Sequence, residues 1–278
     1  MTPKAAEIIE GFRLSPRQKH LWLLQASDAR SPYRVQCAIR IEGPLRRDVL
    51  SAALRKVFDR NEILRTTFQC TKGLTIPLQV VSQDGLPACP LSDLTSLGPE
   101  EQESAIRALL LEARQAAFDF QAGPLARLSL TGLTPTAHVL LVTLPALCAD
   151  AATTDNLMRE IEECYRAEPG AAGSSEEPLQ YADIAEWQNE LLEAKEREAG
   201  RAYWKDRVSD PLLPKLPIEQ ASSTSSKFEP EVRRLAIDGD LARRIEAVVQ
   251  QHQISHSTLF LAAWCTLVGR LTGQSEFV

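Results

Sequence analysis

The sequence predicts an α/β protein, and three features carry that prediction. Hydrophobic residues make up 44% of its 278 residues, which is enough for a sizeable buried core. Segments with the alternating pattern of half-buried strands are interleaved with segments whose apolar residues recur at helical spacing. The composition then changes over 167–178 to AEPGAAGSSEEP, which is typical of a linker and divides the chain into two parts.

The first part supplies most of the predicted elements. Ser15 is a predicted N-cap and Pro16 the first residue of a helix through RQKHLWLLQ. A half-buried strand follows at 33–43, and a helix with an apolar face is predicted over about 46–59. Two meander strands, ILRTTFQ and PLQVVSQ, precede a long helix at roughly 99–117. This part ends with the strands LARLSLTGL and AHVLLVTLP and a helix through NLMREIEECY.

Helices dominate the second part. A long helical stretch is predicted over 181–208, followed by a loop, the strand VRRLAID and the helix LARRIEAVVQQHQ. A strongly apolar helix, HSTLFLAAWCTLVGRLTG, closes at Gly273. Trp22 and Trp264 lie among leucines on helical stripes, and we expect both in the core. Because the final residues look like the start of another strand, we expect this part to be incomplete.

Charge, hydropathy and cysteine spacing argue against several classes of function. Lys and Arg total 31 against 37 Asp and Glu, a net charge of −6, so nucleic acid is not an expected partner. No apolar run has transmembrane length and the N-terminus has no apolar signal core, so we expect a cytoplasmic protein without a membrane partner. The six cysteines are scattered singly, which argues against a zinc site or a disulfide framework. Phosphate-binding glycine motifs are absent, and we expect no directly bound cofactor.

Six motifs occur in one order along nearly the whole chain: LSPRQKHLWLLQ at 14–25, RNEILRTTF at 60–68, FDFQAGPLARLSL at 118–130, YADIAEWQ at 181–188, AYWKDRV at 202–208 and HSTLFLAAWCTLVGRLTGQSEFV at 256–278. Together they resemble the condensation domain of nonribosomal peptide synthetases, a member of the chloramphenicol-acetyltransferase-like superfamily. Asn61 stands where this family usually has His. The resemblance implies a two-lobed chloramphenicol-acetyltransferase-like α/β fold, with a complete N-terminal lobe at 1–168, a linker at 169–180 and a partial C-terminal lobe at 181–278.

The family's third motif, His-His-x-x-x-Asp-Gly, falls on the segment LPALCADAATT at 144–154. Pro145 and Ala146 stand at the two His positions, Asp150 at the Asp and Ala151 at the Gly. In the family the second His acts at the carbonyl of a donor thioester, as general base or as a positioning group for the attacking amine. The methyl group of Ala146 can do neither. The resemblance also implies that Asp150 forms a structural pair with Arg65.

The four histidines of the sequence are the candidates to replace the missing imidazole. His138 lies on the same predicted strand, eight positions before Ala146 and therefore about 26 Å away at about 3.3 Å per residue. We expect it to be an exposed strand residue. The three other histidines are expected to be solvated or structural: His20, His252 and His256.

Two further residues of the motif have open interpretations. Cys148 has no adjacent base, and although a following helix N-terminus could lower the pKa of its thiol, a buried inert thiol is the preferred interpretation. Asp150 stays open as a lone general base, beside its preferred role as the partner of Arg65.

Two functions follow from this resemblance. The first is a catalytically degenerate condensation domain of a nonribosomal peptide synthetase or a hybrid polyketide–peptide synthetase, acting as a scaffold or docking platform. The second is active amide formation from a carrier-bound thioester, through substrate positioning or Asp150. A third, an unrelated acyltransferase of the superfamily, is weaker because those enzymes resemble the family in needing the same His. The implied partners are an adjacent adenylation domain and peptidyl or acyl carrier proteins, which present substrates on phosphopantetheine arms.

Overall fold

The structure is a computed structural model that describes residues 11–26, 33–71, 73–83, 85–167, 178–194, 197–208, 216–218 and 235–277. The chain divides into two compact units, Met1–Glu193 and Ala194–Val278. No helix in these described ranges is long and apolar enough to cross a membrane.

The first unit holds all the strands found in the described residues. Its elements, in chain order, are β1 (Phe12–Arg13), α1 (Pro16–Ala26), β2 (Arg34–Glu42), α2 (Arg47–Arg60), a 3₁₀ helix (Glu62–Arg65), β3 (Thr66–Gln69), β4 (Leu78–Val81), β5 (Leu91–Asp93), α3 (Pro99–Gln115), β6 (Arg127–Thr134), β7 (Ala137–Pro145), α4 (Ala151–Arg166) and α5 (Tyr181–Glu193).

These strands form two sheets. The larger sheet has the order β2-β7-β6-β5, and the smaller one has the order β1-β4-β3. Strand β7 runs antiparallel to both β2 and β6, whereas β5 pairs with β6 in parallel. The motif segment therefore continues from an inner strand of the larger sheet.

Both faces of β7 are buried, and successive side chains point to opposite sides. Leu140, Val142 and Leu144 join a core cluster with residues of α2 and α4. Val139 and Leu141 pack on the other face with residues of α3. This double burial explains why AHVLLVTLP is apolar at nearly every position.

Helix α5 is held to the first unit by polar contacts. The Arg13 Nε lies 2.8 Å from Oε2 of Glu186, and its Nη1 lies 2.6 Å from Oε1 of Glu193. The buried Asn189 donates from Nδ2 to the Leu14 carbonyl oxygen at 3.0 Å. Packing thus divides the chain one helix later than the predicted linker at 169–180, of which residues 169–177 lie outside the described residues. The assignment of lobes stays a prediction.

The described part of the second unit is helical. It contains α6 (Glu198–Val208), α7 (Gly239–His252) and α8 (His256–Thr272). Side-chain N-caps begin the last two helices: Asp238 accepts from the amide of Leu241 at 2.8 Å, and Ser255 from that of Thr258 at 3.1 Å. Gly273 closes α8 with a left-handed φ of 71°, as predicted.

The expected helices at 16–26, 47–60 and 99–115 and the strand at 34–42 are confirmed, with small shifts at their ends. The single stretch predicted over 181–208 is instead two helices, α5 and α6. The predicted strand VRRLAID is not confirmed: its last four residues, from Leu235, have no regular structure, and the first three lie outside the described residues. Trp264 is 59% exposed, so its predicted place in the core is wrong. Hydrophobicity predicted burial there, but the described residues leave this face of α8 open.

Candidate functional site

The turn after β7 has a fixed backbone. The amide of Ala146 donates to the Tyr33 carbonyl oxygen at 2.9 Å, which extends the ladder between β2 and β7 by one pair. The amide of Cys148 then donates to the carbonyl oxygen of Pro145 at 2.9 Å and closes the turn. The last residue of β7, Pro145, is buried, and Ala151 is the exposed first residue of α4.

A buried glutamine from α1 holds this turn from the other side. Gln18, which is 2% exposed, donates from Nε2 to the Leu147 carbonyl oxygen and to Oε1 of Gln79, both at 3.0 Å. Its own Oε1 accepts from the amide of Ser15 at 2.9 Å, and Gln79 donates to the Arg13 carbonyl oxygen at 2.9 Å. One amide group therefore joins α1, β4 and the motif turn.

This role of Gln18 was not predicted, although the sequence carries a signal for it. Ser15 and Gln18 have the Ser-x-x-Gln spacing of a capping box, in which each side chain bonds the other's backbone amide. Both bonds are present, the second from the Gln18 amide to Oγ of Ser15 at 3.2 Å. The two long-range bonds of Gln18 have no local sequence signal.

Ala146 itself is partly buried and offers only a methyl group. His138 is 8% exposed, so its predicted exposure is wrong: it lies on the inner strand β7, between neighbours on both sides. His20 is exposed and lies two positions after Gln18, and residues two apart on a helix do not share a face. Neither histidine of the first unit is placed to act at position 146.

Cys148 is a buried thiol. It is 7% exposed and belongs to an apolar cluster with Leu14, Phe68, Leu125 and Leu147. Burial raises the pKa of this thiol to about 12. Desolvation outweighs the helix N-terminus that could have lowered the pKa, so the reactive thiolate is scarce at neutral pH.

Asp150 is the N-cap of α4. One carboxylate oxygen accepts from the amide of Thr153 at 2.9 Å and from its hydroxyl at 2.8 Å. The Thr153 hydroxyl accepts in return from the Asp150 amide at 3.1 Å. These bonds, the amide of Thr153 first, lower the pKa of the carboxyl group, and an exposed carboxylate with a lowered pKa is a weak base.

The predicted pair between Arg65 and Asp150 is not formed in this structure. Arg65 donates from Nη1 to the Ser82 carbonyl oxygen at 2.6 Å, and its Nη2 lies 3.6 Å from Oε1 of Glu62. Asp150 needs no buried cation because it is exposed and is already bonded by the first turn of α4. Arg65 thus binds residues near its own 3₁₀ helix, whereas Asp150 caps α4.

No group of three or more His, Cys, Asp or Glu side chains in the described ranges could hold a metal ion. The geometry shows a turn whose backbone is fixed at both ends and whose central side chain carries no acid, base or nucleophile.

The fold and the site together define a class of protein. A larger sheet with helices on both faces, and a motif turn that leaves its inner strand, are features of the chloramphenicol-acetyltransferase-like fold. The family model described as "Condensation domain" matches residues 9–278, and the chain belongs to this family. The sequence-based recognition and fold class are both confirmed.

Several synthetases contain similar sequences. Chondramide synthase cmdD of Chondromyces crocatus is 30% identical over 267 residues, which cover 95% of this chain and 7% of that protein. Malpinin synthetase of Mortierella alpina is 28% identical over 269 residues, covering 95% of this chain and 3% of that protein. The chain thus spans a small fraction of these curated relatives.

Two solved structures share the fold. The X-domain from teicoplanin biosynthesis is 26% identical with a TM-score of 0.75, covering 96% of this chain and 59% of that one. The condensation domain of the Monacolin K polyketide synthase MokA is 24% identical with a TM-score of 0.74, covering 97% and 62%. The second likeness concerns the fold alone.

Proposed function

We propose that this chain is a condensation-type domain that no longer catalyses amide formation and serves as a docking platform in a nonribosomal peptide or hybrid polyketide–peptide synthetase. The observation that carries the proposal is Ala146, at the family's catalytic His position, on a turn whose backbone is otherwise held in place. A domain with an ordered turn and no imidazole there keeps its fold and its surfaces but loses its proton-transfer group.

The other groups of the turn do not supply that chemistry. The thiol of Cys148 is buried and protonated, and the carboxylate of Asp150 is engaged by Thr153. Catalysis by Asp150 is therefore the weaker candidate. Catalysis by positioning alone has no specific observation in its favour.

The docking role is supported by the other domains with which members of this family work. The relatives are synthetases, and such condensation domains work beside carrier and adenylation domains. A relative of the same fold, the X-domain from teicoplanin biosynthesis, has been solved as a complex with OxyB. We propose carrier proteins with phosphopantetheine arms and an adenylation domain as the partners of this chain.

A carrier-protein assay tests both functions. A carrier protein is loaded with a donor aminoacyl thioester and mixed with the chain and an amine acceptor, and amide is measured by intact-protein mass spectrometry. Binding of the same carrier is measured by titration calorimetry. We expect carrier binding without amide above the rate seen with no domain present.

Two variants sharpen the assay. Asp150→Asn removes the base but keeps a good N-cap residue, and Cys148→Ala is the matched control inside the same turn. If the unaltered chain forms amide and only Asp150→Asn loses this activity, the chain is an enzyme and the docking proposal is wrong. Absence of both amide and carrier binding would also overturn it, provided that circular dichroism shows a folded chain.

A further inference from the structure

Strand β2 forms one edge of the larger sheet, and its free side can be identified residue by residue. Ala146 bonds to Tyr33, and the amide of Gly43 bonds to the Thr136 carbonyl oxygen at 2.7 Å, so both positions form hydrogen-bonded pairs with β7. Because such pairs alternate in an antiparallel ladder, the odd-numbered residues of β2 bond to β7. The backbone groups of its even-numbered residues point outward.

Three of these outward positions lack backbone partners. In the part of the chain that the structure describes, the amides and carbonyls of Ala38, Arg40 and Glu42 make no hydrogen bond, and all three residues are exposed. Neither a proline nor a bulge interrupts the nine-residue strand, although these devices commonly block free edges. The edge is therefore open to another strand.

The two sides of this edge differ in chemistry. On the side of α4, a groove of about 410 Å³ lies against the strand. Its lining is mainly apolar and includes Ile39, Ile41 and Met158, and it also takes in the charged residues Arg40, Glu42, Glu162 and Arg166. On the side of α3, the strand presents Arg40 and Glu42. An added strand must therefore carry apolar residues on one side and polar or charged residues on the other.

Strand β2 has this pattern itself. In an antiparallel pair centred on Ala38, the odd-numbered apolar residues of a second copy would extend the groove side. Gln36 would face Arg40 of the second copy, and Arg34 would face Glu42, with the small Ala38 side chains meeting at the axis. Arg34, whose Nη1 also donates to the carbonyl oxygens of Ala113 and Ala116, would then lie opposite a residue of opposite charge at both ends of the ladder.

We propose that the outer edge of β2 binds the same edge of a second copy of this chain and joins the two larger sheets across a two-fold axis. The interface is isologous, so each strand supplies both the apolar and the charged half of the contact. One end of the pairing segment, Arg34, lies opposite Pro145 beside the motif turn. The interface uses the outer side of the strand and does not depend on the function proposed above.

Sedimentation velocity of the full chain tests this dimer. The decisive variant is Ala38→Pro, which deletes an outward amide that the sheet does not use and is tolerated on an edge strand. Ala38→Val is the matched control, because it keeps the amide and suits a strand. We expect a concentration-dependent dimer for the unaltered chain and for Ala38→Val, and monomer for Ala38→Pro.

A second variant keeps every backbone amide. Glu42→Arg places two cations opposite each other at both ends of the ladder and should weaken dimerisation about tenfold or more. If the unaltered chain stays monomeric up to about 100 μM, any dimer through β2 is too weak to support the proposal. That result overturns the proposal, and so does a dimer that survives both Ala38→Pro and Glu42→Arg. If Ala38→Pro fails to fold by circular dichroism, Glu42→Arg decides alone.

Discussion

Gln18 and Leu147 are 129 positions apart, yet a hydrogen bond of 3.0 Å joins the side-chain amide of one to the carbonyl oxygen of the other. This bond fixes the turn beside position 146 from outside the turn. The shape of the backbone at the candidate site therefore depends on α1 and not on the side chain that the turn presents.

Replacing Gln18 by Leu should lower the free energy of unfolding by about 2–4 kcal/mol, because buried polar groups of Ser15, Gln79 and Leu147 lose their partner. Urea unfolding followed by circular dichroism measures the loss. His20→Ala on the exposed side of the same helix is the control, with an expected change of about 0.5 kcal/mol or less. Equal stabilities of the two variants would contradict this role of Gln18.

Placing His at position 146 should restore chemistry to a turn that is already ordered. We expect Ala146→His to give amide in the carrier-protein assay where the unaltered chain gives none, because the imidazole supplies the proton acceptor that a methyl group lacks. Ala151→His, at the exposed first residue of α4, is the control. If the two variants behave alike, the position of the imidazole is not what the site lacks.

Cys148 should resist alkylation in the folded chain. Burial raises the pKa of its thiol to about 12, so almost no thiolate exists at pH 8, whereas Cys70 and Cys265 are exposed. Treatment with iodoacetamide at pH 8 and peptide mapping by mass spectrometry should find the two exposed cysteines modified first. Cys148 should react only after addition of urea, and rapid modification of the native chain would contradict its burial.

The N-cap at Asp150 should contribute stability that depends on pH. Because its carboxyl pKa is lowered in the folded state, the contribution is complete above the unfolded value of about 3.9 and is lost as the pH falls through the folded value. At pH 7, Asp150→Ala should cost about 1 kcal/mol in urea unfolding, whereas Asp150→Asn should cost less because Asn also caps helices.

The difference between the unaltered chain and Asp150→Ala should shrink when the same unfolding is measured at pH 3. A difference that grows toward low pH would mean that the protonated carboxyl is the stabilising form, contrary to the bonds with Thr153.

Local patterns predicted the elements but not the contacts among them. The Ser15-Pro16 start of α1 and the glycine end of α8 at Gly273 are short-range signals, and both are confirmed. The two-residue strand β1 and the three-residue strand β5 have no period long enough to detect, since they exist only through their partners β4 and β6. Pairing between strands that are far apart in sequence cannot be predicted from the residues of either strand alone.

The sequence predicted where the candidate site lies along the chain, but it did not predict the hydrogen-bond partners of its residues. The resemblance placed Ala146 at the turn after an apolar strand, and the structure has that turn. The expected partner of Asp150 was Arg65, yet Asp150 bonds within its own helix, as Asp at an N-cap commonly does. A local bond three residues away was available, and it competed with the long-range pair.

The bonds made by Gln18 also bear on how such domains change over generations. Because the turn is held by backbone and amide groups, the bonds that fix it do not involve the side chain at position 146. On the function proposed above, such a substitution removes the chemistry while the fold and its outer surfaces persist. On that proposal, selection on this chain acts on the contacts that keep it folded and on the surfaces that it presents to other proteins.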